Sequence, residues 1–181
     1  MKEIGSYRDP LSPVSLTIDN QMVSDEAYKE CVQKTVIACT DAVFIVHGEP
    51  AIYLGKRAIF PMKGVWCFGG RILFNDQTPS DSVSRCIATE TGLKINPGRF
   101  RLVMINHYAW IKTAQGDFPG KNLALTYVCE VTKEELAKMP QGLSATEYDT
   151  EFGIQKFTRH RLVKERVHRA MLDVFDALFS R

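Results

Sequence analysis

Hydrophobic residues along the chain fall into segments with the periods of strands and helices. Residues 36–46 (VIACTDAVFIV) are rich in β-branched side chains and almost continuously apolar, which predicts a strand covered on both faces. The turn HGEP (47–50) then returns the chain as a second strand, so these segments form a predicted hairpin. This second strand covers residues 51–57. Three further strands are predicted over 101–110, 121–131 and 151–157.

Capping residues indicate where helices begin and end. Ser24 is a good N-cap, and Thr78 followed by Pro79 is the usual combination of a hydroxyl cap and a proline in the first turn. Gly92 supplies a C-terminal stop. Helices are predicted over 24–34, 79–91, 132–139 and 158–179. Because the strands are flanked by helices at both ends, the pattern predicts an α/β fold with a mixed sheet sandwiched between helices.

Length and composition favour one globular domain. The 181 residues are 45% hydrophobic and carry a net charge of +2, which excludes the strongly basic surface typical of nucleic-acid binding. Residues 1–22 contain Pro10 and Pro13 and are predicted to be an irregular N-terminal arm, followed by a single domain over 23–181. Five cysteines without a C-x-x-C pair argue against a disulfide framework. With no signal region and no long apolar stretch, the sequence predicts a cytoplasmic protein without membrane or nucleic-acid partners.

One segment, residues 64–93, has a pattern that indicates chemistry. It contains the pair Gly69-Gly70, which lets backbone approach a ligand closely, followed by the predicted helix 79–91. At 100° per residue, Glu90 falls in the middle of the apolar stripe of that helix, facing the sheet. A buried carboxylate is costly unless it is paired or binds a metal. The alternatives are therefore an ion pair with a core arginine or a site for a metal and a diphosphate.

The same segment resembles a Nudix box, whose usual form ends in Arg-Glu-x-x-Glu-Glu-x-Gly. The arginine, the last glutamate and the glycine of that pattern stand at Arg85, Glu90 and Gly92, whereas Cys86 and Thr89 replace two acids. The GDP-mannose mannosyl hydrolases, a subfamily of the Nudix proteins, have a similarly reduced box with one helix glutamate. The resemblance covers roughly residues 24–172, and implies a Nudix fold and a homodimer.

Other short motifs carry this resemblance beyond the box. TDAVFIV places Asp41 on an acidic position of the subfamily, while LGKR and GGR place Arg57 and Arg71 on two arginines that contact the diphosphate. INHYAW places His107 on its histidine-aromatic element, and LTYVCEV places Tyr127 on a tyrosine that reaches the phosphates. The resemblance thus implies that these five residues bind the substrate. From the residues alone, Arg57 and Arg71 could be surface residues, but two arginines flanking a Gly-Gly pair favour a diphosphate site. Arg85 can form an ion pair with Asp81 one turn earlier.

The resemblance also implies one Mg²⁺ ion, held by the Gly69 carbonyl, Glu90 and a third ligand at Glu147. The subfamily uses a loop histidine as its general base, but the corresponding loop 144–154 (SATEYDTEFGI) contains none. The base position falls on Tyr148 or Asp149, depending on one gap in the match. A carboxylate at Asp149 or Glu147 is the chemically reasonable replacement.

The resemblance therefore implies an Mg²⁺-dependent Nudix hydrolase acting on a nucleotide diphosphate sugar similar to GDP-mannose. It would release nucleoside diphosphate and sugar by substitution at the sugar C1, with Asp149, Glu147, Arg57 and Arg71 as catalytic residues. Two other hypotheses stay open. One is a pyrophosphohydrolase that attacks phosphorus, and the other is a module that binds a nucleotide sugar without turnover.

Overall fold

The computed structural model describes residues 24–73, 75–113 and 116–180. The predicted N-terminal arm, residues 1–22, lies outside the described residues. All five cysteines are free thiols, and four of them are buried while Cys31 is exposed.

A mixed sheet forms the centre of the fold, with the strand order β3-β2-β1-β6-β5. Strand β4 also pairs with β1, and β7 pairs with β2. The pairing of β1 with β6 is parallel and the other pairings are antiparallel. The strands are β1 (Val36–Ile45), β2 (Ile52–Arg57), β3 (Gly64–Trp66), β4 (Phe68–Arg71), β5 (Phe100–Trp110), β6 (Gly120–Glu130) and β7 (Gln155–Phe157).

The strand predicted over 151–157 is shorter than expected. Only Gln155–Phe157 pair with β2, because the residues before them form a turn. The Asp149 carboxylate accepts a hydrogen bond from the Phe152 backbone N–H (3.0 Å), and Gly153 has a φ of 63°. These contacts close the turn and keep residues 151–153 out of the sheet.

The described residues form five α-helices that flank the sheet: α1 (Asp25–Lys34), α2 (Pro79–Thr91), α3 (Lys133–Lys138), α4 (Arg159–Lys164) and α5 (Arg169–Phe179). The caps at Ser24, Thr78 and Gly92 are as predicted, with Gly92 in the left-handed conformation. The single helix predicted over 158–179 is wrong. Arg166 has a φ of 52°, which ends α4, and the His168 ring nitrogen Nδ1 then caps α5 by accepting a bond from the Ala170 N–H.

Two hydrophobic clusters cover the two faces of the sheet. One contains side chains of α5, such as Met171 and Val174. The other contains Val83 and Ile87 of α2. Neighbouring residues of β1 alternate between the clusters, as expected for a strand buried on both sides. The predicted α/β/α sandwich is confirmed. Within the described part of the chain, no helix has the length and apolar character needed to cross a membrane.

Candidate active site

A pocket of about 330 Å³ opens over β1, β5 and β6, on the sheet face that also carries α5. Because side chains alternate along a strand, Cys39 and Asp41 of β1 share this face with Asn122 and Ala124 of β6. The pocket brings together six of the residues predicted from the sequence. These are Asp41, Arg57, Gly69, Arg71, Glu90 and Glu147.

The Gly69-Gly70 pair lies within strand β4 at the edge of this pocket. Gly69 pairs with Asp41 across the β1–β4 ladder and has a φ of 150°. A Cβ atom at Gly69 would lie 2.1 Å from the Thr40 carbonyl oxygen, so only glycine fits. The Gly69 backbone N–H donates to the Glu90 carboxylate at 2.8 Å.

Glu90 is the buried acid of the site, with 5% of its surface exposed. Its Oε2 atom also accepts a hydrogen bond from the Tyr148 hydroxyl at 3.0 Å. Burial, and secondly the charge of Glu147, raise the pKa of Glu90 to about 8. Its hydrogen-bond partners are the Gly69 backbone amide and the Tyr148 hydroxyl. Glu90 therefore does not form the ion pair with a core arginine that was one of the two alternatives from the sequence.

Arg57 lies at the end of β2, and its side chain is only 13% exposed. Its Nη2 atom is 3.4 Å from the Glu147 carboxylate, and its guanidinium lies over the Tyr148 ring, 5.9 Å from the centroid. The Arg57 Nε atom is buried and has no hydrogen-bond partner among the described residues. Buried donors are nearly always paired, so this N–H is suited to an acceptor brought by a ligand.

Arg71 reaches the same pocket from the end of β4. Its guanidinium stacks over the ring of Tyr28 in α1, with 4.1 Å between the guanidinium carbon and the ring centroid. A cation held over an aromatic face is stabilised by the ring's electron density. Helix α1 thus holds the second arginine in place.

Asp41 faces the pocket from the middle of β1. Burial raises the pKa of its carboxyl group to about 7, while the charge of Arg57 acts in the opposite direction. Cys39 and Cys86 also line the pocket, and burial raises the pKa of their thiols to about 12 and about 11. Both cysteines are therefore uncharged at neutral pH.

The predicted partner of Arg85 is wrong. Arg85 forms a bidentate ion pair with Asp76, with two N–O distances of 2.8 Å, and it also donates to the Arg71 carbonyl. Asp81 is engaged elsewhere, because its carboxylate accepts bonds from the backbone N–H and the hydroxyl of Thr78 in the capping box. Arg85 consequently supports the turn that leads into α2.

Asp149, which the sequence offered as a general base, does not line the pocket. Its carboxylate pairs with Lys56 at 3.0 Å and closes the turn to Phe152. The segment pairs with β2, since the Asp149 N–H donates to the Lys56 carbonyl and the Ala58 N–H donates to the Glu147 carbonyl. This register places Tyr148 inward, beside Glu90, and Asp149 outward.

His107 and Tyr127 are likewise separated from the pocket. His107 neighbours Tyr108 along β5, so it points to the opposite face of the sheet, where it is exposed. Tyr127 is buried in the cluster under α2, together with Val83 and Ile87. In each strand, the side chains that face the pocket are at alternate positions, and His107 and Tyr127 lie one position away from them.

An aromatic wall lines the pocket that the sequence analysis did not assign. It consists of Trp66, Tyr108 and Trp110, with ring centroids 5.7 Å apart for Trp66 and Tyr108 and 4.9 Å apart for the stacked pair Tyr108 and Trp110. The signal in the sequence was the spacing of Tyr108 and Trp110, which puts two large aromatic rings on one face of a strand.

The carboxyl groups of the pocket fit one divalent cation. Among the described residues, no three His, Cys, Asp or Glu side chains form a group that could hold a metal. However, Mg²⁺ is usually bound by one or two carboxylates together with phosphates and water. Glu90 and Glu147 lie close enough for Glu147 to raise the pKa of Glu90, a repulsion that a cation would relieve. Cys86 and Thr89 line the pocket where the usual box has acids, so ligands for further ions are lacking.

Comparison with known proteins identifies the fold. No family model matches the sequence, and no curated protein does. Among solved structures, a MutT protein from Methanosarcina mazei Go1 is 16% identical with a TM-score of 0.56, covering 78% of this chain and 91% of that one. The NUDIX domain of Shewanella oneidensis NrtR, solved with ADP ribose, is 14% identical with a TM-score of 0.51, covering 84% and 96%. A MutT NUDIX hydrolase from Burkholderia pseudomallei is 18% identical with a TM-score of 0.51, covering 70% and 86%. The chain has the Nudix fold.

Proposed function

We propose that this protein binds a nucleoside diphosphate derivative, such as a nucleotide sugar, and hydrolyses it with one Mg²⁺ ion. The observation that carries this proposal is the convergence of Arg57, Arg71 and Glu90 on one pocket around the Gly69-Gly70 pair of β4. Two arginines supply positive charge and planar sets of donors that match phosphate oxygens. The Arg57 Nε, which has no partner in the described ranges, adds a buried donor to this set.

The acidic groups of the pocket divide into two roles in this proposal. Glu90, Glu147 and the Gly69 carbonyl would hold the ion, which supplies Lewis acidity toward the diphosphate when bound. Asp41 is then the remaining acid of the described pocket lining, and it would accept the proton from water. Arg57 and Arg71 would stabilise negative charge that develops on the departing diphosphate.

Substitution at the sugar C1, with nucleoside diphosphate as the leaving group, suits this arrangement better than attack at phosphorus. Both arginines would act on the diphosphate as a whole, whereas attack at phosphorus in two-metal sites needs ligands for a second ion. Cys86 and Thr89 do not provide such ligands. The expected products are therefore nucleoside diphosphate and free sugar.

Binding without turnover is the second candidate function, and Tyr148 favours it. Tyr148 is one of the two positions on which the base of the resembled subfamily falls, and it is 2% exposed with its hydroxyl bonded to Glu90. Burial and the neighbouring Glu90 charge raise the pKa of this hydroxyl well above its ordinary value, so it cannot act as a base near neutral pH. In a binding module, the Glu90–Tyr148 bond would simply keep the pocket open.

Incubation with a panel of nucleotide sugars distinguishes these functions. We expect turnover with Mg²⁺ and none with a chelator, with products identified by mass as nucleoside diphosphate plus sugar. Nucleoside monophosphate plus sugar phosphate would instead assign attack at phosphorus. Calorimetric binding of a nucleotide sugar without either product set would assign the binding module. Absence of both binding and turnover across the panel would contradict the proposal.

Replacing Asp149 by asparagine is expected to change turnover by no more than about twofold, because its partly exposed side chain lies outside the pocket lining. Glu147→Gln, two positions earlier and inside the pocket, is expected to weaken Mg²⁺ activation and reduce turnover at a fixed Mg²⁺ concentration. Steady-state kinetics of both variants over a range of Mg²⁺ concentrations make the comparison. A loss of about a hundredfold at Asp149, the usual scale for a general base, would restore Asp149 as the base and contradict the observed register.

A further inference from the structure

The aromatic wall (Trp66, Tyr108 and Trp110) carries two buried polar atoms that the described part of the chain leaves without a well-formed hydrogen bond. The Tyr108 hydroxyl and the Trp110 Nε1 are both buried, and neither makes a hydrogen bond of normal distance and angle to the described residues. The side chains of Asn106 and Thr126 nevertheless lie close enough to the Tyr108 hydroxyl to lower its pKa, against the larger effect of burial. Tyr108 is 8% exposed and lines the pocket. Buried polar groups without partners are rare in folded proteins and call for an explanation. Two of them side by side on a pocket wall indicate a missing acceptor.

The rings of the wall pack against one another and against a neighbouring histidine. Trp66 packs edge-on against both Tyr108 and Trp110, and the His168 ring packs against Trp66 at 5.4 Å. Because His168 also caps helix α5, the wall is braced by the last helix of the fold. Packed aromatic side chains lose little conformational freedom when a ligand binds.

The wall and the two arginines line one continuous pocket. A ligand whose diphosphate meets Arg57 and Arg71 therefore has its adjoining group within reach of the wall. Tryptophan N–H can only donate, so the group must offer acceptors. Nucleobases do so through carbonyl oxygens and ring nitrogens without hydrogens, and their flat rings stack on aromatic side chains.

We propose that the aromatic wall is the nucleobase subsite, where edge acceptors of the base receive hydrogen bonds from the Tyr108 hydroxyl and the Trp110 Nε1. This inference rests on the proposed function, because it assumes that the diphosphate lies at the arginines. It assigns base recognition to strand β5, and leaves the arginine and carboxylate side of the pocket to the diphosphate and the sugar.

Trp110→Phe and Tyr108→Phe test the subsite, because each keeps an aromatic ring and removes a donor. Calorimetry with GDP, ADP, UDP and CDP, with inorganic pyrophosphate and with a hexose 1-phosphate separates the parts of the ligand. We expect either variant to lose about tenfold in affinity for the best nucleoside diphosphate, the scale of one hydrogen bond, with unchanged affinity for pyrophosphate. Tyr53→Phe is the matched control, since Tyr53 belongs to the cluster on the other face of the sheet and its hydroxyl donates to Glu49.

The outcomes separate this inference from the function on which it rests. Equal binding of nucleoside diphosphates by the parent and both variants would overturn the base subsite while leaving the diphosphate site intact. Loss of hexose 1-phosphate binding in the variants, without loss of nucleoside diphosphate binding, would assign the wall to the sugar and also overturn it. A parent that binds nucleoside diphosphates but not pyrophosphate, with sensitivity at Trp110, would support the base subsite and count against the arginine site.

Discussion

Alanine at Arg57 is expected to weaken binding of a nucleoside diphosphate by about ten- to a hundredfold, and alanine at Arg71 by a similar factor. Each guanidinium would make charge-assisted hydrogen bonds to phosphate oxygens, which are stronger than neutral ones. The effect of Arg57 should be the larger, because its side chain is 13% exposed and its Nε has no partner among the described residues. Calorimetry with a nucleoside diphosphate, with Mg²⁺ and with a chelator, measures both losses.

The two arginines differ in what their removal leaves behind, which makes the pair informative. Arg57→Ala also removes the cation beside Glu147 and Asp41, so part of its effect will be altered carboxyl ionisation. Arg71 lies over the Tyr28 ring, and its loss is therefore the simpler test of phosphate binding. Arg159→Ala is a suitable control, since Arg159 pairs with Asp176 on the surface. Wild-type affinity in both pocket variants would show that neither arginine meets the ligand.

The sequence predicted those parts of the fold and the site that depend on local pattern. The cap at Thr78 and the stop at Gly92 set the bounds of α2, and the apolar stripe within those bounds placed Glu90 in the interior. The position of the Gly-Gly pair before the same helix then located the pocket. Each of these inferences needed only residues close together in the chain.

What the sequence could not predict depends on pairing between distant segments. Tyr148 faces inward and Asp149 outward because their loop pairs with β2, where the Asp149 N–H donates to the Lys56 carbonyl at 2.8 Å. A shift of one residue would exchange the two side chains, and loop sequence does not specify that register. Tyr127 could not be placed from the sequence for a similar reason. Consecutive residues of β6 are buried, so the apolar pattern does not indicate which alternate positions face the pocket.

Glu90→Gln is expected to remove Mg²⁺-dependent turnover while leaving the fold intact. The Glu90 pKa is raised to about 8, so the carboxyl group of the metal-free protein is largely protonated at neutral pH. Glutamine has nearly the same shape and keeps an acceptor for the Gly69 N–H and the Tyr148 hydroxyl. It cannot ionise, however, and so cannot act as the carboxylate ligand of a cation. Kinetics of the purified variant measure the loss of turnover, and its circular dichroism shows whether the fold is intact.

Thermal unfolding against pH provides a second, independent measure of Glu90→Gln. Between the ordinary glutamate pKa of 4.5 and the raised pKa of about 8, Glu90 of the folded parent holds a proton that it has released in the unfolded chain. The free energy of unfolding of the metal-free parent should therefore fall as pH rises through this window. The variant lacks this dependence, so its stability relative to the parent should increase with pH and level off above about pH 8.

Adding Mg²⁺ should reverse that ranking. The ion binds the ionised carboxylate, so it should stabilise the parent increasingly as pH rises, and stabilise the variant little. A change of Glu147 to glutamine should weaken the Mg²⁺ effect without removing the pH dependence, because burial is the first cause of the Glu90 shift and Glu147 only the second. Equal stabilisation of the parent and of Glu90→Gln by Mg²⁺ would remove Glu90 from the metal site, and with it the hydrolytic mechanism proposed for this pocket.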